Sequence, residues 1–214
     1  MKKCANFLLS ILFTRKVFSY EKIFELYTQE QSVVAGISFS KNPFTYLLPY
    51  KKYIREAFWS LKFKNNRSVA VLFGKLMYET LPEQIIQWEQ FENFNNPILA
   101  TVPSSKQTLH KRGYNQNDLI VRSFLRHGGD KFIEYKPRII RKTKNIPKQS
   151  RTKSKQERLI NPKGAFAVAN APLIKNRNII LFDDILTTGA TTQEIKKLLH
   201  KAGVIQVKIV VIAH

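Results

Sequence analysis

The chain has 214 residues, of which 43% are hydrophobic, and its 36 Lys and Arg residues against 15 Asp and Glu residues give a net charge of +21. That length fits one α/β domain with an appendage, and the charge indicates an anionic partner such as nucleic acid, although a generally basic proteome or a solubility effect would also produce it. The single cysteine, Cys4, excludes a disulfide framework and a four-cysteine zinc site within the chain, and it is compatible with a reducing, cytoplasmic setting.

No clear motif marks residues 1–48, which we interpret as an N-terminal appendage. Two lysines and the largely apolar residues 4–13 have the outline of a short signal peptide, but Asn6 and Ser10 interrupt the run and no small-residue cleavage site follows. The run is also too short to cross a bilayer as a helix. We therefore expect a packing helix and no membrane span, with secretion as the minor alternative.

Two helices are predicted next, over residues 50–64 and 67–90. In the first, apolar residues recur at the spacing that forms one face of a helix, namely Ile54, Ala57, Phe58 and Leu61. Pro82 is expected to divide the second helix in two, because proline lacks the amide proton and clashes with the preceding turn. The basic residues of the first helix are expected on its solvated side.

A buried strand is predicted at residues 98–103, and a polar loop follows it. The loop is expected to run to a helix at residues 116–126, with Asn115 as its N-cap. Its hydroxyl and cationic side chains can donate to a pyrophosphate, and they are Ser104, Ser105, Lys106 and Arg112. An ordinary basic turn before a helix is the alternative.

Residues 142–163 are polar, rich in Lys and Arg, and without an apolar period. They lie between short strands predicted at residues 136–141 and 164–168. Their length and charge predict a mobile loop over a site, or a contact with nucleic acid. A disordered linker is the alternative.

The stretch from residue 178 to 191 carries the clearest chemical pattern. Apolar residues 179–182 predict a buried parallel strand, and two carboxylates, Asp183 and Asp184, follow at its end. A helix predicted at residues 193–201 and a strand at 207–213 complete a βαβ unit. The connecting loop is therefore expected at the carboxyl edge of the sheet, where open α/β sheets bind ligands.

The chemistry of this loop suits a ribose 5-phosphate. Backbone amides, hydroxyls and the positive end of the helix can bind the phosphate, and these groups belong to Thr187, Thr188, Gly189, Ala190 and Thr191. Asp183 and Asp184 would repel a phosphate, but they can accept hydrogen bonds from ribose hydroxyls or hold the waters of a metal ion. The alternative is an acidic turn that caps a helix, with Thr191 or Thr192 as N-cap.

This stretch resembles the phosphoribosyl-pyrophosphate-binding motif of type I phosphoribosyltransferases, in which an acidic pair contacts the ribose and the next loop wraps the 5-phosphate. Further segments resemble ComF-type competence proteins, and the resemblance covers residues 50–214. It rests on Lys62-Phe63-Lys64, Val102-Pro103, Arg112-Gly113-Tyr114-Asn115-Gln116, Gln149, Glu157-Arg158, Asn161, Gly164-Ala165-Phe166, Ala202-Gly203 and Val207.

The resemblance implies an α/β, type I phosphoribosyltransferase-like fold over residues 49–214, with a parallel-sheet core flanked by helices. Residues 1–48 would be the degenerate counterpart of a four-cysteine zinc module that many family members carry. Because its cysteines are absent, we expect no zinc. The resemblance assigns the ribose to Asp183 and Asp184, which would also hold Mg²⁺, and the 5-phosphate to the loop at residues 187–191.

The implied function is the handling of single-stranded DNA during natural transformation. Its implied partners are phosphoribosyl pyrophosphate or a related ribose-phosphate ligand, single-stranded DNA and a DNA-translocating helicase. The sequence leaves open whether pentosyl transfer is catalysed, and it identifies no general base. Two alternatives remain: a metabolic phosphoribosyltransferase that salvages a nucleobase, and a non-catalytic sensor of phosphoribosyl pyrophosphate.

Overall fold

The computed structural model of the protein describes residues 44–143 and 162–214. The predicted packing helix at residues 4–13 and most of the predicted basic segment at 142–163 lie outside these ranges. The same holds for three parts of the family resemblance, Gln149, Glu157-Arg158 and Asn161. Within the two ranges, none of the helices is both long enough and apolar enough to cross a membrane.

The described residues form seven strands and five α-helices. In chain order these are β1 (Thr45–Leu48), α1 (Lys52–Phe63), α2 (Arg67–Glu92), β2 (Ile98–Thr101), α3 (Lys106–Arg112), α4 (Gln116–Arg126), β3 (Glu134–Tyr135), β4 (Ile140–Lys142), β5 (Phe166–Val168), β6 (Ile179–Ile185), α5 (Ala190–Lys201) and β7 (Val207–Ala213).

Five of these strands form one parallel sheet in the order β1-β7-β6-β2-β3, and β4 pairs with β5 in a separate antiparallel hairpin. The predicted α/β class with a parallel-sheet core and flanking helices is confirmed. From β2 the chain proceeds to β3 on one side, whereas from β6 it proceeds to β7 on the other. The strand order therefore reverses between β2 and β6. β1, which falls within the range predicted as an appendage, is an edge strand of this sheet.

Both faces of the sheet are covered, which explains why its strands are continuous apolar runs. Along β6, Ile180 and Phe182 belong to the larger core with α1, α2 and α4, whereas Ile179 and Leu181 belong to a second core. That second core contains Ile195 and Leu199 of α5 and residues of the β4–β5 hairpin. The alternation follows from the two-residue period of a strand.

The prediction that Pro82 divides the second helix is wrong, because α2 runs unbroken through it. A proline in a helix interior costs about 3 kcal/mol. On both sides of Pro82 the helix buries large side chains in one core, and burying each contributes about 1.5–3 kcal/mol. These residues are Met77, Leu81, Ile85 and Trp88. Their combined burial outweighs the cost of the proline, so the helix continues.

The expectation of a loop from Pro103 to Asn115 is also wrong, since residues 106–112 form α3. Ser105 caps this helix by accepting a hydrogen bond from the Thr108 amide at 3.1 Å. Gly113 ends the helix in the left-handed conformation, with φ at 77°. The predicted helix at residues 116–126 and its Asn115 N-cap are confirmed.

Two smaller boundaries differ from the predictions. Helix α5 begins at Ala190 rather than Gln193, and its N-cap is Gly189 with φ at 71°, not a threonine. The strand predicted at residues 136–141 is replaced by β3 before it and β4 at its end. Pro137 and Arg138, whose φ is 66°, interrupt the extended backbone between them.

Candidate functional site

The candidate site lies at the carboxyl edge of the sheet, where β2 and β6 are neighbours. β2 ends at Thr101, which pairs with Phe182, whereas β6 continues to Ile185 and remains paired with β7. Asp183 and Asp184 therefore extend beyond the end of β2. Open α/β sheets bind ligands outside the carboxyl ends of the strands, at the point where the strand order reverses.

The carboxylate of Asp183 has two donors in the structure. Its Oδ1 accepts from the Asn117 side-chain amide at 2.9 Å and from the Asp184 backbone amide at 3.0 Å. Burial, together with the negative charge of Asp184, raises the pKa of Asp183 to about 7. Groups that donate hydrogen bonds or bring positive charge would favour its ionised form.

The buried carboxylate of Asp184 is paired with a lysine from a distant part of the chain. Lys62, in the last turn of α1, forms an ion pair with its Oδ2, and Gln116 of α4 donates to the same oxygen at 3.3 Å. The amide of Ile185 donates to Oδ1 at 2.9 Å. Three elements of the fold therefore meet at this carboxylate.

Helix α4 is fastened to the end of β2 by two asparagines. The side-chain amides of Asn115 and Asn117 both donate to the Val102 carbonyl, at 3.2 and 3.1 Å. Asn117 donates to Asp183 as well, whereas its own Oδ1 is buried without a hydrogen-bond partner among the described residues. The bond from Asn117 to Asp183 is thus held in place by backbone at the strand end.

Asp118, in the first turn of α4, accepts hydrogen bonds from groups of β2, β3 and the start of α4. Its Oδ1 accepts from the Thr101 hydroxyl at 2.7 Å, the Tyr135 hydroxyl at 2.9 Å and the Asn115 amide at 3.2 Å. Burial and the charge of Asp118 raise the pKa of Tyr135. The tyrosine therefore stays a hydrogen-bond donor, and Asp118 joins β2, β3 and α4.

Sequence reasoning did not assign a site role to Lys62, Gln116, Asn117, Asp118 or Tyr135. For Asn117 and Asp118 a usable signal exists, because they follow the Asn115 N-cap of a helix that begins just after a strand end. Nothing in the local spacing of α1 points from Lys62 to Asp184. That contact depends on how α1 packs on the sheet.

The connection from β6 to α5 presents unpaired backbone donors. The Leu186 amide is bound to the Ala213 carbonyl at 3.0 Å, and the first amide bonded within α5 is that of Gln193, to the Gly189 carbonyl at 2.9 Å. The amides at residues 190–192 precede that first bond, as at the start of any helix. Of these three, the Ala190 amide donates to the Thr188 hydroxyl oxygen at 3.4 Å. The side chains of Thr187 and Thr188 are exposed beside them. Amides and hydroxyls at a helix N-terminus form a site for an anion.

The residues predicted to bind pyrophosphate are partly brought together. The Ser104 hydroxyl donates to Asn115 Oδ1 at 3.0 Å, and Arg112 donates to Gln116 Oε1 at 3.2 Å, so both adjoin the groups around Asp184. Ser105 is engaged in capping α3, whereas the Lys106 side chain is exposed. Their assignment to pyrophosphate stays a prediction.

Over residues 44–143 and 162–214 there is no cluster of three or more His, Cys, Asp or Glu residues that could hold a metal ion. In the candidate site, Asp183 and Asp184 are neighbouring carboxylates. Such a pair fits Mg²⁺, which keeps several waters and binds through one or two carboxylates together with phosphates of the substrate.

Residues 111–214 match the family described as phosphoribosyl transferase domain. This part of the chain, which contains α4, β6, α5 and β7, is therefore a phosphoribosyltransferase domain. The carboxylate pair and the loop before α5 both lie within the matched residues, whereas β2 lies outside them.

Two competence proteins are similar to the chain. Competence protein F of Haemophilus influenzae is 37% identical over 103 residues, which cover 46% of this chain and 42% of that protein. Competence protein ComFC of Streptococcus pneumoniae is 26% identical over 162 residues, covering 76% of this chain and 64% of that protein. The chain thus spans less than two thirds of either relative. Together with the domain match, these similarities support the resemblance of the chain to ComF-type proteins of the type I phosphoribosyltransferase superfamily.

Solved structures give weaker similarities. Glutamine phosphoribosylpyrophosphate amidotransferase from B. subtilis is 14% identical, with a TM-score of 0.39 over 68% of this chain and 26% of that chain. Hypoxanthine-guanine phosphoribosyltransferase of L. donovani is 13% identical, with a TM-score of 0.39 over 68% of this chain and 67% of that chain.

Proposed function

We propose that the edge between β2 and β6 binds phosphoribosyl pyrophosphate or a related ribose 5-phosphate, and that the protein acts in the cytoplasm in handling single-stranded DNA during natural transformation. One observation carries the ligand assignment. A pair of carboxylates and the amide-bearing start of a helix follow one another in a single short connection at the strand-order reversal.

The carboxylate pair suits the ribose. An ionised carboxylate accepts hydrogen bonds and donates none, and ribose hydroxyls can donate to it. Asp183 and Asp184 are adjacent, and the charge of Asp184 helps to raise the pKa of Asp183. Two hydroxyl donors at this position would favour the ionised form of both carboxylates and offset the repulsion between them.

The loop before α5 suits the 5-phosphate. Gly189 has φ at 71°, and a methyl group built on it would meet no atom closer than 3.8 Å, so this position is open. The amides at residues 190–192 and the hydroxyls of Thr187 and Thr188 surround the helix N-terminus. A phosphate bound here would be separated from the carboxylates by the length of the connection rather than placed against them.

The pyrophosphate half of the ligand is assigned to the side of β2. Arg112 and Lys106 supply positive charge, Ser104 and Ser105 supply hydroxyls, and Arg112 already reaches the Asp184 corner through Gln116. Mg²⁺ would be held by Asp183 and Asp184 with the phosphates, and it would supply neutralisation of the pyrophosphate charge.

Single-stranded DNA, and a helicase that translocates on it, are the proposed macromolecular partners. The net charge of +21 supports a polyanionic partner, and the two similar curated proteins are named for competence. Binding through Lys and Arg releases counterions from DNA, so affinity should fall steeply as salt is raised.

Transfer of the phosphoribosyl group to a free base is the second candidate. The phosphoribosyl transferase domain match of residues 111–214 favours it. Release of pyrophosphate in the presence of one member of a nucleobase panel would establish this activity. No release with any base, while the ligand still binds, would leave binding as the function.

A thermal-shift titration tests the ligand assignment. A ligand that binds only the folded state stabilises it by about 2.7 kcal/mol at a hundredfold excess over its dissociation constant. We expect phosphoribosyl pyrophosphate with Mg²⁺ to raise the melting temperature of the full chain, and Asp183→Asn to lose most of this shift. The control Asp130→Asn changes an exposed aspartate and should keep it. No shift in the unmodified protein at millimolar ligand would overturn the proposal.

A further inference from the structure

The outer side of α1 presents two aromatic rings to solvent next to the candidate site. Trp59 is 51% exposed and Phe63 is 61% exposed, and their ring centroids are 6.0 Å apart. The core face of the same helix is already formed by Phe58 and Leu61, which are buried. Two adjacent exposed rings that the core does not need indicate a contact surface.

Each exposed ring has a cation over it. Lys64 Nζ lies 4.9 Å from the Trp59 ring centroid, and the Arg112 guanidinium lies 5.1 Å from that of Phe63. The Arg67 guanidinium lies 5.8 Å from the ring of Tyr114 nearby. We call these six residues the aromatic–cation surface: Trp59, Phe63, Lys64, Arg67, Arg112 and Tyr114. It contains three rings and three positive charges.

The aromatic–cation surface adjoins the candidate site through fixed contacts. The Tyr114 hydroxyl donates to the Leu61 carbonyl at 2.5 Å, which fastens the end of α3 to α1. Arg112 donates to Gln116, and Gln116 donates to Asp184. A nucleic-acid strand bound on the two exposed rings would therefore pass beside the carboxylates of the candidate site.

We propose that the aromatic–cation surface binds single-stranded DNA by stacking unpaired bases on Trp59 and Phe63, while Lys64, Arg67 and Arg112 contact its phosphates. This inference rests on the proposed partner and names the surface that receives it. Positive grooves with aromatic side chains bind single strands in this manner, because every base has a π-face. An exposed cation–π contact is weaker than a base–aromatic stack, so a base can replace the cation, which is then free for a phosphate. Duplex DNA keeps its bases stacked inside and cannot do this.

Intrinsic fluorescence reports on the stack directly. The chain has two tryptophans, and the second, Trp88, is 6% exposed in the core beside Phe94. We expect an oligo(dT) of about 20 nucleotides to quench the exposed, red-shifted emission at low salt. Trp59→Leu should abolish this quenching, since Trp88 is out of reach of a base.

Abasic DNA separates stacking from charge. An abasic oligonucleotide of the same length carries the same phosphates without bases, so a purely electrostatic surface would bind both probes alike. We expect the full chain to bind oligo(dT) about tenfold or more tightly than the abasic probe. The double variant Trp59→Ala/Phe63→Ala should lose this preference, bind the abasic probe unchanged, and keep the salt dependence, because no cation is removed.

Phe91 provides a matched control. It is 71% exposed on α2, but Glu89 and Glu92 flank it, so Phe91→Ala should leave the preference for oligo(dT) intact. Circular dichroism verifies that each variant folds, and the comparison of the two probes on the unmodified chain needs no variant.

The outcomes distinguish this inference from the proposed function. Equal binding of oligo(dT) and abasic DNA would overturn the aromatic–cation surface while leaving a charge-driven DNA partner in place. The surface would be overturned as well if the duplex, or RNA of the same length, bound more tightly than oligo(dT). Absence of binding to both DNA probes at low salt would overturn the surface and the DNA partner together. The binding of phosphoribosyl pyrophosphate, measured on Trp59→Ala alone, should be unchanged, because the cation over that ring is Lys64 and not Arg112 of the proposed pyrophosphate site.

Discussion

Two connections leave the carboxyl edge of the sheet at the strand-order reversal, and they contribute in different ways. Residues 186–189, after β6, carry exposed threonines and lead directly into the first amides of α5. Residues 102–115, after β2, contain a whole helix, and the side chain of Asn115 points inward and donates to the Val102 carbonyl. In the proposed function the first connection would contact the ligand, whereas the second fixes the elements around it. A binding edge of this kind needs both open donors and a rigid support.

The largest expected effect on stability comes from Lys62, which holds the carboxylate of Asp184 in place. Lys62→Met leaves the buried Asp184 carboxylate without its cation, and breaking a buried ion pair in this way is strongly destabilising. Since Lys62 is only partly buried, we expect a loss of about 3 kcal/mol in the free energy of unfolding, measured by urea denaturation.

A matched lysine sharpens this prediction. Lys75 forms an exposed ion pair with Glu79 at 3.8 Å on α2, and Lys75→Met should change stability by less than about 0.5 kcal/mol. Adding Asp184→Asn to Lys62→Met should recover part of the loss, because the uncompensated charge is then gone. Equal losses in the two lysine variants would contradict the role given to Lys62.

The next effect is the pH dependence of stability. The pKa of Asp183 is raised from 3.8 to about 7, so the folded protein retains a proton that the unfolded chain releases first. The contribution of Asp183 to the free energy of unfolding is fully present below about pH 4 and is lost as pH rises to about 7. Relative to Asp183→Asn, the unmodified protein should therefore lose stability over this window in urea titrations. A constant difference between the two proteins across it would be inconsistent with the raised pKa.

Asn117→Ala should have a moderate effect. The side-chain amide donates to Asp183 and to Val102, but its own oxygen is buried without a partner among the described residues, and removing that atom offsets part of the loss. We expect a destabilisation of about 1–2 kcal/mol together with weaker ligand binding. Calorimetric titration with phosphoribosyl pyrophosphate measures the second effect, and unchanged affinity would remove Asn117 from the site.

The smallest expected effect on stability distinguishes the loop from the support. Gly189 and Gly113 have φ at 71° and 77°, and an added methyl group would meet no close atom at either position. Each Gly→Ala change should therefore cost about 1 kcal/mol, from the backbone alone. Only Gly189→Ala should weaken the binding of the ribose phosphate, since only that residue directly precedes the amides at residues 190–192 that are proposed to bind the 5-phosphate. Equal affinities in the two variants would contradict the assignment of the 5-phosphate to the loop before α5.

The same contrast explains what the sequence could predict. The strand, the two aspartates and the loop before α5 are contiguous, so their order alone indicated a ligand at the carboxyl edge. The contacts of Asn117 with Asp183 and of Lys62 with Asp184 join segments that are remote in sequence, and no local period encodes them. Pro82 was mispredicted for a related reason, because core burial on both sides of the proline outweighed its local preference. The helix α3 is a different case, since its caps, Ser105 and Gly113, are local signals that the sequence does contain.

Isothermal titration of phosphoribosyl pyrophosphate with Mg²⁺ tests the central claim most directly. The full chain should bind one ligand saturably, ribose 5-phosphate should compete with it, and Asp183→Asn should weaken the affinity by about tenfold or more, as expected when a charge-assisted hydrogen bond is lost. An unchanged affinity in Asp183→Asn, or no competition by ribose 5-phosphate, would contradict the assignment of the ribose phosphate to the edge between β2 and β6.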